Sequence, residues 1–230
     1  MMSGSFSQER SSQHRLVFLP GFILPASSYR DLLAPLVAAG CSIEVPQFYR
    51  IGPRVLLGRY TVSDEAQAAA DLITPVPDET IWLGGHSRGG HAALVASRLL
   101  ADRGIRVAGL LLIDPVRNGQ IIPDGVEATA SVGEKQPQLI VGAGLGGRCA
   151  PTTRNHRHFA REVPRPLHVV VPDMGHADVL NGRSLAMGRR LCGGGVDPTG
   201  TRSLVTQIMT NYIQNKLVVG AELPPAAVWA

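Results

Sequence analysis

"IWLGGHSRGGHAAL" spans Ile81 to Leu94 and sets one serine, Ser87, between Gly85 and Gly89. The apolar run "TIWLG" before it has the form of a buried strand. The run "HAALVASRLL" after it has the form of a buried helix. A simple loop between the two would not need a glycine on each side of one serine at that spacing. A sharp strand-to-helix turn does need them, because its neighbours must be small for helix and strand to approach closely. The serine then stands out at the apex, and the first amides of the helix face any negative charge formed there. The plainer reading is a glycine-rich turn whose serine caps the helix.

The flanking chain repeats the same alternation of elements. Upstream, "RLVFLPGF" (Arg15–Phe22) predicts a buried strand ended by Pro-Gly, and "ASSYRDLLAPLVAAG" a helix closing on Gly40. "CSIEVPQF" is a second strand. A Gly/Arg-rich loop between Tyr49 and Tyr60 leads to a helix in "SDEAQAAADLI", with Ser63 as its cap. "ETIWLGG" is the third strand and "RGGHAALVASRLLADRG" the third helix. Downstream come strands in "VAGLLLIDP", "PQLIVGAG" and "LHVVVPD", a short helix at "HRHFARE", and a final amphipathic helix in "SLVTQIMTNYIQNKL". Strands without polar alternation, separated by helices, predict an α/β fold: a mostly parallel sheet covered by helices on both faces. The expected organisation is a flexible leader over 1–14, one domain over 15–219 and a tail over 220–230.

Composition narrows the function. A chain of 230 residues builds a single α/β core without subdivision. Net charge is only +4 and its arginines are scattered, with no basic stripe interleaved with aromatics, which argues against nucleic acid. No apolar stretch approaches the ~20 residues that cross a bilayer. The polar start "MMSGSFSQERSSQHR" lacks the apolar core of a signal peptide. Cys41, Cys149 and Cys192 form an odd, sparse set that fits a reducing compartment, with a single Cys149–Cys192 bridge left open. No cysteine or histidine spacing suggests zinc, and no cofactor is expected.

A serine hydroxyl becomes a nucleophile only when a histidine takes its proton, and a carboxylate must orient that histidine. His14 lies in the leader, and His86 and His91 sit too close to Ser87 in sequence. His156 and His158 are expected on a surface helix, and His168 opens a strand. His176, in "VVVPDMGHADVL", directly follows a late strand, where a loop brings it over Ser87. For the acid, "LIVGAGLGG" carries no carboxylate, whereas "LLLIDPV" ends on Asp114 right after an apolar run. A carboxylate there is costly unless paired. Asp173 and Asp178 are the alternatives. The two amides that would hold an oxyanion are those of Arg88, after the nucleophile, and Phe22, in the turn after the first strand.

The glycine-flanked serine between strand and helix is the nucleophile elbow of the α/β-hydrolase fold. Several blocks in the same order resemble the chlorophyllase family: "GHSRGG", "LIDPV", "LIVGAGLGGRCAP" followed by "NHRHF", and "DMGHADVL". "PGFILPASSYRDLLAPLVAAGCSIEVPQFY" is similar to that family's opening strand–helix–strand. The likeness runs from about Arg15 to Leu217. It implies a serine hydrolase that removes phytol from chlorophyll, with catalytic serine, aspartate and histidine at Ser87, Asp114 and His176. It also implies a hydrophobic small-molecule ester as partner, a cytoplasmic or plastid-stromal location, and peripheral contact with a photosynthetic membrane. "DPVRNG" and "HADVLNG" depart from the family's more acidic segments, and no plastid-type leader is expected, which bears on substrate preference and location.

An apolar substrate requires a hydrophobic groove, with Gln47–Tyr60, Arg117–Gln136 and Ala177–Gly200 as candidate lining loops. The runner-up is a general carboxylesterase for short-chain or other hydrophobic esters. Gly142-x-Gly144-x-x-Gly147 has the spacing of a dinucleotide fingerprint, but Pro151 stands where the helix should open. A non-enzymatic member of the fold would lack a member of the triad, and all three are present. "ELPPAAVWA" is either a disordered tail or a small apolar cap.

Overall fold

The structure, a computed structural model, describes residues 13–48, 60–117 and 136–230. Seven strands form one sheet in the order β2-β1-β3-β4-β5-β6-β7: β1 Gln13–Leu19, β2 Ser42–Glu44, β3 Glu79–His86, β4 Gly109–Ile113, β5 Gln138–Ala143, β6 Leu167–Val171 and β7 Val228–Trp229. All neighbours pair in parallel except β7, which runs antiparallel to β6. The helices are α1 Arg30–Ala38, α2 Val62–Leu72, α3 Arg88–Asp102, α4 His156–Glu162, α5 Gly182–Cys192 and α6 Pro198–Ile213.

The strand side chains explain the two helical layers. Leu16 and Phe18 of β1, with Leu111 and Ile113 of β4, face a core closed by α1 and α6. Val17 and Leu19, with Leu110 and Leu112, face a second core closed by α2, α3 and Phe159 of α4. In β1 and β4 both sets of alternate positions are therefore buried, which is why these strands carry no polar alternation. The expected α/β-hydrolase sheet is present.

Several boundaries differ from expectation. β1 starts at Gln13, inside the expected leader. Val228–Trp229 extends the sheet, so the last residues are not a tail outside it. α2 is capped by Thr61, whose side chain and that of Asp64 form a reciprocal capping box, rather than by Ser63. α6 begins earlier than its apolar pattern, at Pro198, with the Asp197 side chain accepting from the amides of Thr199 and Gly200. The segment Ala177–Gly200, expected as a loop, contains α5, none of whose residues is buried.

The cysteine pairing left open by the sequence is present. Cys149 and Cys192 form a disulfide, joining the end of α5 to the turn after β5, and Cys41 is a buried free thiol. The argument from cysteine usage for a reducing compartment therefore falls. Among the described residues, no helix is long and apolar enough to cross a membrane.

The chain leaves β1 toward β2 and returns to place β3 on the other side of β1. This strand-order reversal opens a crevice at the carboxyl ends of β1 and β3, where open α/β sheets bind ligands. The elbow after β3 meets the turn after β1 there through the missing side chain of Gly89. A Cβ on that residue would lie 2.1 Å from the Leu19 carbonyl oxygen and 2.4 Å from that of Pro20. Both are backbone atoms, so no rotamer relieves the clash. Gly89→Ala should destabilise the protein by about 3 kcal/mol or more, read as a lower urea midpoint at unchanged slope. Unchanged stability would mean that β1 and α3 are not in this close contact.

Candidate active site

Ser87 joins β3 to α3 with φ 56 and ψ −125, a conformation that L side chains rarely adopt. The flanking glycines permit it. A Cβ on Gly85 would lie 2.4 Å from backbone atoms of Gly89. The Ser87 amide donates to the carbonyl of Ile113, and the Ser87 carbonyl accepts from Gly90 and Val116. The sharp strand-to-helix turn expected from sequence is thus built, and its backbone is tied to the end of β4.

Asp114 follows β4 directly and is fully buried, also at positive φ. Its Oδ1 accepts from the Ala143 amide at 3.2 Å, and its Oδ2 lies 2.6 Å from Nδ1 of His176. Nε2 of His176 lies 3.0 Å from Oγ of Ser87. Ser87, His176 and Asp114, far apart in the chain, therefore form one hydrogen-bonded series across the carboxyl ends of β3, β4 and β6. With Asp114 accepting at Nδ1–H, the Nε2 lone pair is presented to the serine hydroxyl, the arrangement that a proton acceptor requires.

The alternative acids are elsewhere. Asp178 is buried and its Oδ2 accepts from the amides of Gly175 and Gly195 at 2.7 and 2.6 Å, so it holds the loop that carries His176. Asp173 does not contribute its side chain to the series. Asn181 bonds the Ser27 carbonyl, and Ser28 donates to Ser184, fastening the start of α5 beside the turn after β1.

An apolar cavity of about 360 Å³ opens beside Ser87 and His176, lined by Phe22, Leu24, Leu180, Met187 and Leu191 among others. Of the three candidate lining loops, Ala177–Gly200 contributes through α5 and the Cys149–Cys192 bridge. Residues 49–59 and 118–135 lie outside the described residues. Phe22 and Arg88, the expected oxyanion donors, border the same cavity.

The side chain of Arg88 has its own setting. It is buried, its guanidinium lies 5.3 Å from the Phe22 ring centroid, and it donates to Glu65 at 2.9 Å and to the Tyr60 carbonyl at 2.8 Å. Sequence reasoning missed Glu65, although a signal existed. It sits in the stripe Val62–Glu65–Ala66–Ala69 that buries α2. Other histidines also depart from expectation. His156 is fully buried rather than on a surface, with Nδ1 2.8 Å from Nε2 of His168. Burial lowers the His156 imidazole. Burial, then His156, brings His168 down to about 4. Burial, then Arg117 and Arg98, brings His91 down to about 3. His14, expected in the leader, lies in β1 and accepts from the Trp82 indole at 3.0 Å.

The glycines of the supposed fingerprint have packing roles instead. A Cβ at Gly142 would strike the His156 ring, one at Gly144 the Pro172 backbone, and one at Gly147 the Cys192 carbonyl. No helix opens there. Among the described residues, no group of three or more metal-ligating side chains comes together.

The family model for chlorophyllase matches residues 7–222. The chain belongs to the chlorophyllase family. Its chemistry is accordingly that of an ester hydrolase, and the serine–histidine–aspartate series is the part of this chlorophyllase-family chain suited to it. No curated protein matches the sequence. Solved structures share its fold. A ferulic acid esterase from Streptomyces cinnamoneus is 18% identical, with 96% of this chain and 74% of that one covered at a TM-score of 0.60. The type II thioesterase YbtT of the yersiniabactin pathway is 16% identical over 92% and 97%, at 0.58. A CIB-like hydrolase from Thermoplasma acidophilum is 13% identical over 90% and 88%, at 0.61. At such identities the likeness carries the fold alone.

The Glu65–Arg88 pair gives this site a measurable pH signature. Burial outweighs the Arg88 charge and pushes the Glu65 carboxyl up from 4.5 to about 7. A folded value above the unfolded one favours the protonated form. The stability contributed by this group is therefore full below pH 4.5 and is lost as pH rises through about 7. Against a Glu65→Gln variant, the wild-type stability difference should fall as pH rises to about 7 and flatten above it, measured by urea unfolding between about pH 5 and pH 8. Parallel curves would show that Glu65 does not titrate in this window.

Proposed function

We propose that the protein hydrolyses the phytyl ester of chlorophyll, releasing chlorophyllide and phytol, through an acyl-enzyme on Ser87. The observation that carries the reading is the series in which His176 lies 3.0 Å from the Ser87 hydroxyl and 2.6 Å from buried Asp114, in a chain of the chlorophyllase family. Ser87 Oγ attacks the ester carbonyl as its proton passes to Nε2 of His176. Asp114 holds the resulting imidazolium. The amides of Phe22 and Arg88 receive the oxyanion. The C–O bond then breaks, and the leaving alkoxide takes the proton from His176. Water, deprotonated by the same imidazole, attacks the acyl-enzyme, and the acid product departs with Ser87 restored.

The apolar cavity supports a hydrophobic ester. Its volume of about 360 Å³ lies near the lower end of the ~300–1,000 Å³ typical of small-ligand sites, so it encloses one limb of a large substrate. Half-exposed Phe22, Met187 and Leu191 would contact the remainder at the mouth. The same volume favours a second reading, a carboxylesterase whose short-chain ester fits wholly inside.

Ser87→Ala should lower phytol release from chlorophyll by at least ~10³-fold, and Asp114→Asn by roughly 10⁴-fold, the loss the equivalent exchange causes in a serine-protease triad. Because the three groups act as a unit, combining Ser87→Ala with His176→Ala should cost little more than either alone. Unchanged turnover in Ser87→Ala would remove the serine from the mechanism. A panel of chlorophyll a, pheophytin and a p-nitrophenyl ester decides between substrates. Turnover of the last alone would leave the carboxylesterase reading standing.

A further inference from the structure

The residue before the nucleophile is not idle. His86 is almost wholly buried, with Nε2 2.9 Å from the carbonyl oxygen of His176 and Nδ1 2.9 Å from the hydroxyl of Tyr29. That hydroxyl accepts from the Gly21 amide at 2.8 Å, and Tyr29 is fully buried. The direction of every bond follows from the ends. A carbonyl only accepts, so Nε2 of His86 carries the hydrogen. In the neutral ring Nδ1 is then an acceptor, so the Tyr29 hydroxyl donates to it and keeps a lone pair for Gly21 N–H. Burial, reinforced by His176, holds the imidazole well below its ordinary value and therefore neutral. Burial likewise raises the Tyr29 phenol, which stays protonated.

The two ends of this series are catalytic in position. Gly21 precedes Phe22 in the turn after β1, and His176 carries the imidazole facing Ser87. The His86 and His176 rings also pack with centroids 4.7 Å apart. Little else could occupy the junction: a Cβ on Gly21 would lie 3.3 Å from both His86 Nδ1 and the Tyr29 oxygen.

We infer that His86 is a positioning residue which, through Tyr29, holds the oxyanion turn and the histidine loop in one fixed relation, so that the acceptor for the developing charge and the proton acceptor are set together. The inference rests on the reading of Ser87 as nucleophile. It requires no proton to move along the series, and His86 does not touch the reacting atoms.

Three variants interrupt the series at different points. Tyr29→Phe removes the hydroxyl and keeps the ring. His86→Gln offers a donor in place of Nε2 and loses the Tyr29 partner. His86→Asn offers an acceptor in place of Nδ1 and loses the His176 partner. On a p-nitrophenyl ester each should lower kcat about tenfold, within the ~10² that small misplacement costs, with KM changed less than about twofold. The rate of Ser87 labelling by a p-nitrophenyl phosphonate should fall in step, because it builds the same oxyanion. Tyr29→Phe combined with His86→Asn should cost about as much as the worse single change.

Losses that multiply, losses confined to KM, or labelling at the wild-type rate in folded variants would each overturn the inference while leaving Ser87 as nucleophile. Failure of the wild-type protein itself to label at Ser87 would overturn the underlying reading, and this inference with it. If the His86 variants do not fold, Tyr29→Phe decides alone, since it preserves the ring contacts with Phe18 and His86.

Discussion

Backbone touches backbone where α3 crosses the end of β1, and the site depends on that contact. Gly89 lets the Leu19 and Pro20 carbonyls come within reach of positions that any side chain would fill. Only then can the turn carrying Gly21 and Phe22 border the same cavity as Ser87. Gly85 solves the matching problem on the other side of the serine, where the helix start folds back on the strand end. The strained φ of Ser87 is the local cost of this geometry, and the surrounding core over-determines it. A strand, a helix and a turn are thereby fixed with little freedom, which is what a preorganised site requires.

Two buried carboxylates are handled in different ways. Asp114 is removed from water but accepts from an amide and from His176, so its charge is compensated where the imidazole needs orientation. Glu65 faces one guanidinium, and burial still wins, which raises it. The first arrangement belongs to the series that ends on Ser87. The second anchors the Arg88 side chain against Phe22, so the residue after Ser87 supports the neighbouring turn with its side chain as well as bordering it with its backbone.

The sheet was legible because doubly buried strands leave continuous apolar runs, and "LLLID" followed by proline marked Asp114 as a carboxylate needing a partner. His176 was legible from its place after a late strand. α5 was not, because its few apolar side chains, such as Leu185, Met187 and Leu191, are set among glycines and arginines and none of its residues is buried. The Cys149–Cys192 bridge joins positions 43 residues apart, and spacing alone does not pair cysteines. His86 was set aside for standing next to Ser87 in sequence. In fact strand geometry turns alternate side chains to opposite faces, so the neighbour reaches Tyr29 beneath the site.

The buried imidazoles have a consequence for the whole molecule. His86, His91, His156 and His168 are all held below the ordinary histidine value of 6.5, whereas the denatured polymer takes up protons near it. Each proton that these four side chains refuse favours the open chain, so their contribution is full above pH 6.5 and drains as the solution acidifies toward the lowered values. On acidification these four imidazoles therefore weaken the fold, while Glu65, protonated more readily in the native state, acts in the opposite direction.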